Sequence, residues 1–144
     1  MCIRDRLVIA CNPYCGPCAK AHQAIEELYE KYPGKIAVAV RFALHSNDEN
    51  DAKVIASREI IKAGKTKPYE AIKDWYHLFD VGKFKQLHPT NSAEADNREI
   101  EKHISWSKEA DIKGTPTFFI NGRLLPELFS WEELSGVLDY GLKQ

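Results

Sequence analysis

No apolar run in this 144-residue chain approaches the roughly 20 residues that a membrane-spanning helix needs; the longest are Leu7 to Cys11 and Ile36 to Val40. A surplus of one charge sign is lacking too. The 20 Lys and Arg against 21 Asp and Glu leave a net charge of −1, which excludes the strongly basic footprint of a nucleic-acid binder. There is no glycine period of the collagen kind, no internal repeat, no linker and no low-complexity stretch. With 44% hydrophobic and 28% charged residues, the composition is that of a folded chain rather than a disordered one. What remains is one domain, long enough to bury roughly two thirds of its unfolded surface.

Met1 to Arg6 reads MCIRDR, which resembles a translated sequencing adapter. Residues 1–6 are therefore expected to be a non-native leader and are set aside from fold reasoning, Cys2 with them. What precedes residue 7 in the natural chain is left open.

Leu7-Val8-Ile9-Ala10 is short, apolar and partly β-branched, and reads as a buried strand. A helix is expected to start near Pro17, which suits a first turn because its missing N–H would be unpaired there anyway. Ala21, Ala24, Ile25, Leu28 and Tyr32 then recur at helical spacing until Pro33-Gly34 stops them. Lys35 to Leu44 reads as a central strand, parallel to the first across a right-handed crossover. From Asp48 to Leu87 the pattern is helical. Val54, Ile55, Arg58 and Ile61 share one face, Gly64 ends that segment, and Pro68 opens another with Tyr69, Ile72, Trp75, Tyr76 and Phe79 inward. A short piece holds Phe84 and Leu87, and a longer helix from Asn91 or Ser92 carries Ile100, Ile104 and Ala110. Thr117 to Ile120 and Arg123 to Leu125 flank Asn121-Gly122, the strongest short hairpin signal. Ser130 to Glu133 is a capping box opening a last helix with Trp131, Leu134, Val137 and Leu138 inward. The order β-α-β, helices, β-β-α specifies an α/β fold around a small mixed sheet, with residues 7–144 as one domain and a helical insertion over about 48–112.

Cys15-Gly16-Pro17-Cys18 lies where the first strand gives way to the helix. A helix N-terminus presents unpaired N–H groups and a partial positive charge, both favouring a thiolate over a thiol. Cys15 is therefore expected to have a lowered pKa and to be a nucleophile. Cys18, one turn on, is within reach of a short disulfide, so it can resolve a mixed disulfide formed at Cys15 by thiolate exchange. Run backwards, the same pair donates its disulfide. The bland reading is two buried, inert cysteines. Gly16-Pro17 inside the pair and the strand-to-helix setting weigh against it.

Cys-Gly-Pro-Cys at 15–18, the preceding Pro13-Tyr14, and Gly114-Thr115-Pro116-Thr117 opening a Phe-Phe-Ile strand resemble the thioredoxin superfamily, and the helical insertion is similar to its DsbA-like branch. The run Cys11 to His22 and the ending Thr115 to Glu127 more closely resemble the thioredoxin-like domain fused to bacterial vitamin K epoxide reductase homologues. That resemblance implies a thioredoxin-like fold and a thiol–disulfide oxidoreductase. Cys15 would be the attacking thiol and Cys18 the resolving one, with Gly16 and Pro17 forming the active-site loop. Pro116 would be a cis-proline facing the disulfide, with the Thr115 backbone pairing with substrate. Tyr14 would offer bound peptide an apolar lip; otherwise it is a core aromatic. No metal or organic cofactor is implied, because the Cys15–Cys18 disulfide itself cycles. The implied partners are protein dithiols or disulfides and a membrane redox partner or fused upstream domain. The implied location is the cell envelope or periplasm, reached through an upstream segment.

The chain departs from thioredoxins at one point. They carry a buried acid in the strand before the first active-site cysteine, and Leu7, Val8, Ile9 and Ala10 supply none. His22 falls on the Cys18 face of the helix but reads as a solvated helix histidine. Cys11, Cys15, Cys18 and His22 also spell a Cys3His set, so the rival function is a zinc-binding structural or interaction module without redox activity. The C-x3-C-x2-C spacing within that set also matches radical S-adenosylmethionine enzymes, which need a much longer barrel and a glycine-rich strand that does not follow here. Cys11 is expected to be buried or to form an auxiliary disulfide. His45, His77, His88 and His103 show no ligand-like spacing; Trp75, Trp106 and Trp131 read as core or groove residues; Lys62, Lys65 and Lys67 read as a solvated helix end.

Overall fold

A computed structural model describes residues 5–89 and 97–125. Strand β1 (Asp5–Cys11) runs into helix α1 (Gly16–Lys31), and strand β2 (Ile36–Phe42) returns parallel to β1. Helices α2 (Ala52–Gly64), α3 (Pro68–Leu78), α4 (Val81–Leu87) and α5 (Asn97–Glu109) follow, then the hairpin of β3 (Thr117–Ile120) and β4 (Arg123–Leu124). The described sheet has the order β2-β1-β3-β4, with β3 antiparallel to both β1 and β4. The fold is thus thioredoxin-like: a small mixed sheet with helices packed around it. No helix among the described residues is long and apolar enough to cross a membrane.

Strand β1 has a neighbour on each side, and Leu7, Ile9, Ala10 and Cys11 are at most 1% exposed. A strand covered on both faces needs such a continuous apolar run. It begins at Asp5, inside the stretch read as leader, because Arg6 and Asn121 exchange bonds. The Arg6 N–H donates to Asn121 Oδ1 at 2.9 Å, and the Asn121 N–H to the Arg6 carbonyl at 2.8 Å. Asn121 and Gly122 have φ of 51° and 85°, the left-handed pair that a tight hairpin turn requires.

The structure departs from the sequence reading at several points. Strand β2 lies at the edge of the described sheet, not at its centre. Its composition looks central because side chains cover that edge. The Tyr29 hydroxyl accepts from the Val38 N–H at 3.2 Å, His103 Nδ1 accepts from the Phe42 N–H at 2.9 Å, and the Ser107 hydroxyl donates to the Phe42 carbonyl at 3.1 Å. On α2 the buried face is Val54, Ala56, Ser57, Ile60 and Ala63, rotated away from the expected one, and Ile55 is exposed. Three residues of that face, Ala56, Ser57 and Ala63, are small, and apolar periodicity does not register them. On α3, Trp75 and Tyr76 are buried as expected, with Ala71, while Tyr69 and Phe79 are exposed; on α4 Phe84 is buried and Leu87 is exposed. The start of the helix placed at Asn91 or Ser92, and the last helix from Ser130 with Trp131, Leu134, Val137 and Leu138, lie outside the described residues.

Candidate active site

The β1–α1 junction is built around its backbone carbonyls. Asn12 opens a turn in which its Oδ1 accepts from the Tyr14 N–H at 2.9 Å and its carbonyl from the Cys15 N–H at 3.1 Å. Two α3 side chains fasten the same turn from below. The Trp75 Nε1–H donates to the Pro13 carbonyl at 2.7 Å, and the Tyr76 hydroxyl to the Asn12 carbonyl at 3.0 Å. Sequence reasoning missed this brace. The signal available was that a buried Trp-Tyr pair must find acceptors for its N–H and O–H.

Cys15 then caps α1. Its backbone is extended (φ −100°, ψ 117°) and its Sγ accepts from the Cys18 N–H at 3.3 Å, the place a serine or aspartate side chain takes in other helices. Gly16 and Pro17, exposed, form the first turn, and Cys18 follows with no exposure at all. The Cys15 sulfur is half-buried and faces the Thr115 carbonyl at 3.7 Å. The Thr115–Pro116 peptide is cis, and both residues are half-buried. Tyr14, 44% exposed, stands on the edge of Trp75 with ring centroids 5.5 Å apart, so it is a surface aromatic on a core one. The seven residues singled out from the sequence — Tyr14, Cys15, Gly16, Pro17, Cys18, Thr115 and Pro116 — thus fall on the helix start and on the segment leading into β3. The Cys15–Thr115 contact joins the two.

Behind Cys18 the structure differs from expectation. Cys11, Cys15 and Cys18 are all free thiols, so Cys11 forms no auxiliary disulfide. Cys11 has no exposure, and its Sγ lies 3.3 Å from His22 Nε2. His22 is not solvated: it is 4% exposed and stacked on Tyr76 with centroids 4.8 Å apart. The Cys3His set does not close on a metal. Among the described residues no group of three or more His, Cys, Asp or Glu side chains is placed to hold one, and Cys15 turns its sulfur to Thr115.

The thiols are not alike. The hydrogen bond from Cys11 is the main influence holding Cys18 down to about 6; burial opposes it, and Cys15, the Asn12 backbone and Thr115 assist. Burial raises Cys15, against the expectation that it is the acidic one, and raises Cys11 well above the ordinary thiol range. Neighbouring thiols lose their first proton as a pair. The reduced pair therefore carries one thiolate near neutral pH, and access decides which sulfur meets a substrate. Cys15 is reachable and Cys18 is not.

A family profile described as Thioredoxin matches residues 5–140. No curated protein sequence matches the chain. Several solved structures share the fold. A periplasmic thioredoxin-like protein from Salmonella enterica serovar Typhimurium superposes with a TM-score of 0.73 at 18% identity, over 99% of this chain and 86% of that one. The catalytic domain of Proteus mirabilis ScsC gives 0.73 and 18% over 99% and 85%. Reduced DsbA1 from Neisseria meningitidis gives 0.69 and 14% over 97% and 83%.

Proposed function

Because the chain belongs to the thioredoxin family, we propose that it is a protein thiol–disulfide oxidoreductase working through Cys15 and Cys18. The observation that carries this reading is the half-buried Cys15 sulfur capping α1, with the Cys18 sulfur fully buried one turn behind it. The Cys15 thiolate attacks one sulfur of a substrate disulfide, forming a mixed disulfide and releasing the other sulfur as a thiolate. Cys18, deprotonated, then attacks Cys15 Sγ. The mixed disulfide breaks, the substrate leaves as a dithiol, and the Cys15–Cys18 bond holds the oxidation. In reverse a substrate dithiol takes that bond, and Cys15 and Cys18 return reduced. The pair is its own cofactor.

Tyr14 is the apolar lip over which a substrate chain lies, and Thr115 and Pro116 are its opposite wall, with Gly16 and Pro17 between. The substrates are protein dithiols and disulfides. The similarity of Cys11 to His22 to the domain fused to vitamin K epoxide reductase homologues supports a membrane redox protein, fused or separate, as the electron partner. A periplasmic neighbour from Salmonella and the DsbA1 neighbour support a cell-envelope location. The unit carrying this activity is the domain over residues 7–144, with its helical insertion over about 48–112.

Single-turnover exchange with a disulfide-bonded protein tests the reading. Cys15→Ser is expected to abolish exchange, and Cys18→Ala to accumulate mixed disulfides visible on a non-reducing gel. Cys15 is also expected to be alkylated faster than Cys18 near neutral pH; the opposite order would overturn the assignment of roles.

A further inference from the structure

We propose that the cavity along the outer edge of β2 binds an amphipathic monocarboxylate, the anion of a medium-chain fatty acid. Its carboxylate is held by Arg41 and His103, and its chain lies among aliphatic side chains of α1, β2, α2 and α3.

The cavity has a volume of about 510 Å3, within the roughly 300–1,000 Å3 of small-molecule sites. None of Tyr14, Cys15, Gly16, Pro17, Cys18, Thr115 and Pro116 lines it, so it is a site apart from the exchange site. Its apolar walls are Ile25 of α1, Val38 and Val40 of β2, Ile60 and Ile61 of α2, and Ile72 of α3. Ile25 and Ile60 are buried, whereas Val38, Val40, Ile61 and Ile72 are only half-buried. A bound hydrocarbon chain removes that remaining apolar surface from water.

The polar side of the cavity is set by the strand. Alternate residues of a strand aim both backbone groups at the same edge. At the outer edge of β2, the Val38 N–H donates to the Tyr29 hydroxyl at 3.2 Å and the Phe42 N–H to His103 Nδ1 at 2.9 Å. Between them the Val40 carbonyl accepts from Arg41 Nη1 at 3.4 Å, which folds the guanidinium back over the edge. Tyr29, Arg41 and His103 all line the cavity. Because the Phe42 N–H is aimed at Nδ1, that nitrogen carries no proton, and the ring hydrogen is on Nε2. His103 is 8% exposed, and its Nε2–H has no hydrogen-bond partner among the described residues. The Phe42 N–H belongs to the peptide that follows Arg41, so ring and guanidinium are neighbours. Arg41 forms no salt bridge among the described residues. A nearly buried donor without an acceptor, beside a guanidinium without a counter-ion, is a receptor for an anionic oxygen pair. The other charges lining the cavity are Lys65, Lys73, Glu26 and Glu99, and Glu99 is already paired with Lys102 at 3.4 Å. The balance favours an anionic headgroup over a cationic one.

The same bonds argue against a polypeptide strand as the occupant. A strand added to β2 needs the N–H groups of Val38 and Phe42, and both are taken. A small carboxylate leaves them in place.

Isothermal titration calorimetry on the whole reduced chain tests the site with three probes of equal chain length, each below its micelle concentration: decanoate, decan-1-ol and decyltrimethylammonium. Decanoate is expected to bind once per chain and about tenfold more tightly than decan-1-ol, with no saturable binding of the cation. Arg41→Gln is expected to bring decanoate down to the affinity of decan-1-ol and to leave decan-1-ol unchanged. Ile72→Phe, which fills the cavity, is expected to weaken both by about tenfold. Near-UV circular dichroism checks each fold. Should Ile72→Phe not fold, Arg41→Gln, at an exposed residue, decides with decanoate against decan-1-ol. Absent decanoate binding, equal affinities for decanoate and decan-1-ol, or an Arg41→Gln chain that binds decanoate as the parent does overturns the proposal. Decanoate binding that a folded Ile72→Phe chain retains in full places the ligand elsewhere and overturns it too. So does a dimer in size-exclusion chromatography that decanoate leaves intact and Ile72→Phe abolishes, because the cavity then belongs to a second copy of the chain.

Discussion

Trp75 does two jobs with one side chain. It has no exposure, it meets Tyr14, Phe79 and Phe84 through its ring, and its Nε1–H is bonded to the Pro13 carbonyl two residues before the candidate nucleophile. Trp75→Phe keeps most of the apolar volume but leaves a buried carbonyl without its donor, an unmade bond of about 1–3 kcal/mol. Urea unfolding is expected to show a loss of about 2 kcal/mol. Because Pro13 is part of the turn that aims Cys15, the alkylation rate of Cys15 is expected to change as well. Tyr76→Phe removes the neighbouring bond to Asn12 and is expected to cost about 1 kcal/mol. If Trp75→Phe leaves both stability and Cys15 reactivity untouched, the α3 brace is not what holds the turn.

At the scale of elements, two glycines separate local conformation from packing. Gly122 sits at φ 85° in the β3–β4 turn with open space where a Cβ would stand, so Gly122→Ala meets no clash and still strains the backbone. It is expected to lower stability by about 1 kcal/mol. Gly16 opens α1 with equal space and no positive φ, so Gly16→Ala is expected to be neutral or slightly stabilising in the same urea series. A Gly122→Ala chain as stable as the parent would mean that the turn is not held in this conformation. The elements legible in the sequence are those specified locally: the Asn121-Gly122 turn, the run Leu7 to Ala10, and the start of α1 at Gly16-Pro17. What was not legible depends on chain distant in sequence. Nothing near Val38 or Phe42 announces that Tyr29, His103 and Ser107 cover the β2 edge. His22 looked solvated because its partners, Cys11 and Tyr76, are brought to it by β1 and α3. At the site itself, Cys15 and Cys18 were legible from spacing, whereas their unequal acidity depends on Cys11 across the junction.

Over the whole molecule, two buried imidazoles tie helices to the sheet, and burial holds both neutral. His22 joins α1 to the end of β1. His103 joins α5 to the end of β2, its Nδ1 accepting from Phe42. Burial holds each near 4, and at His103 the Arg41 charge pushes the same way while Glu99 opposes it. In the unfolded chain each would titrate near 6.5. A folded pKa below the unfolded one means that the unfolded state binds more protons between those values. The stability these groups contribute is therefore fully present above pH 6.5 and is lost as pH falls toward 4. At about 1.4 kcal/mol per pH unit per histidine below pH 6.5, the pair removes about 4 kcal/mol between pH 7 and pH 5. The oxidised chain is the form to measure, because its Cys15–Cys18 thiols no longer titrate. Urea midpoints at pH 7, 6 and 5 should fall steadily, and His103→Asn, which keeps an acceptor for Phe42 without an ionisable ring, should remove about half of that fall. Equal midpoints at pH 7 and pH 5 would mean that neither ring is held neutral against protonation.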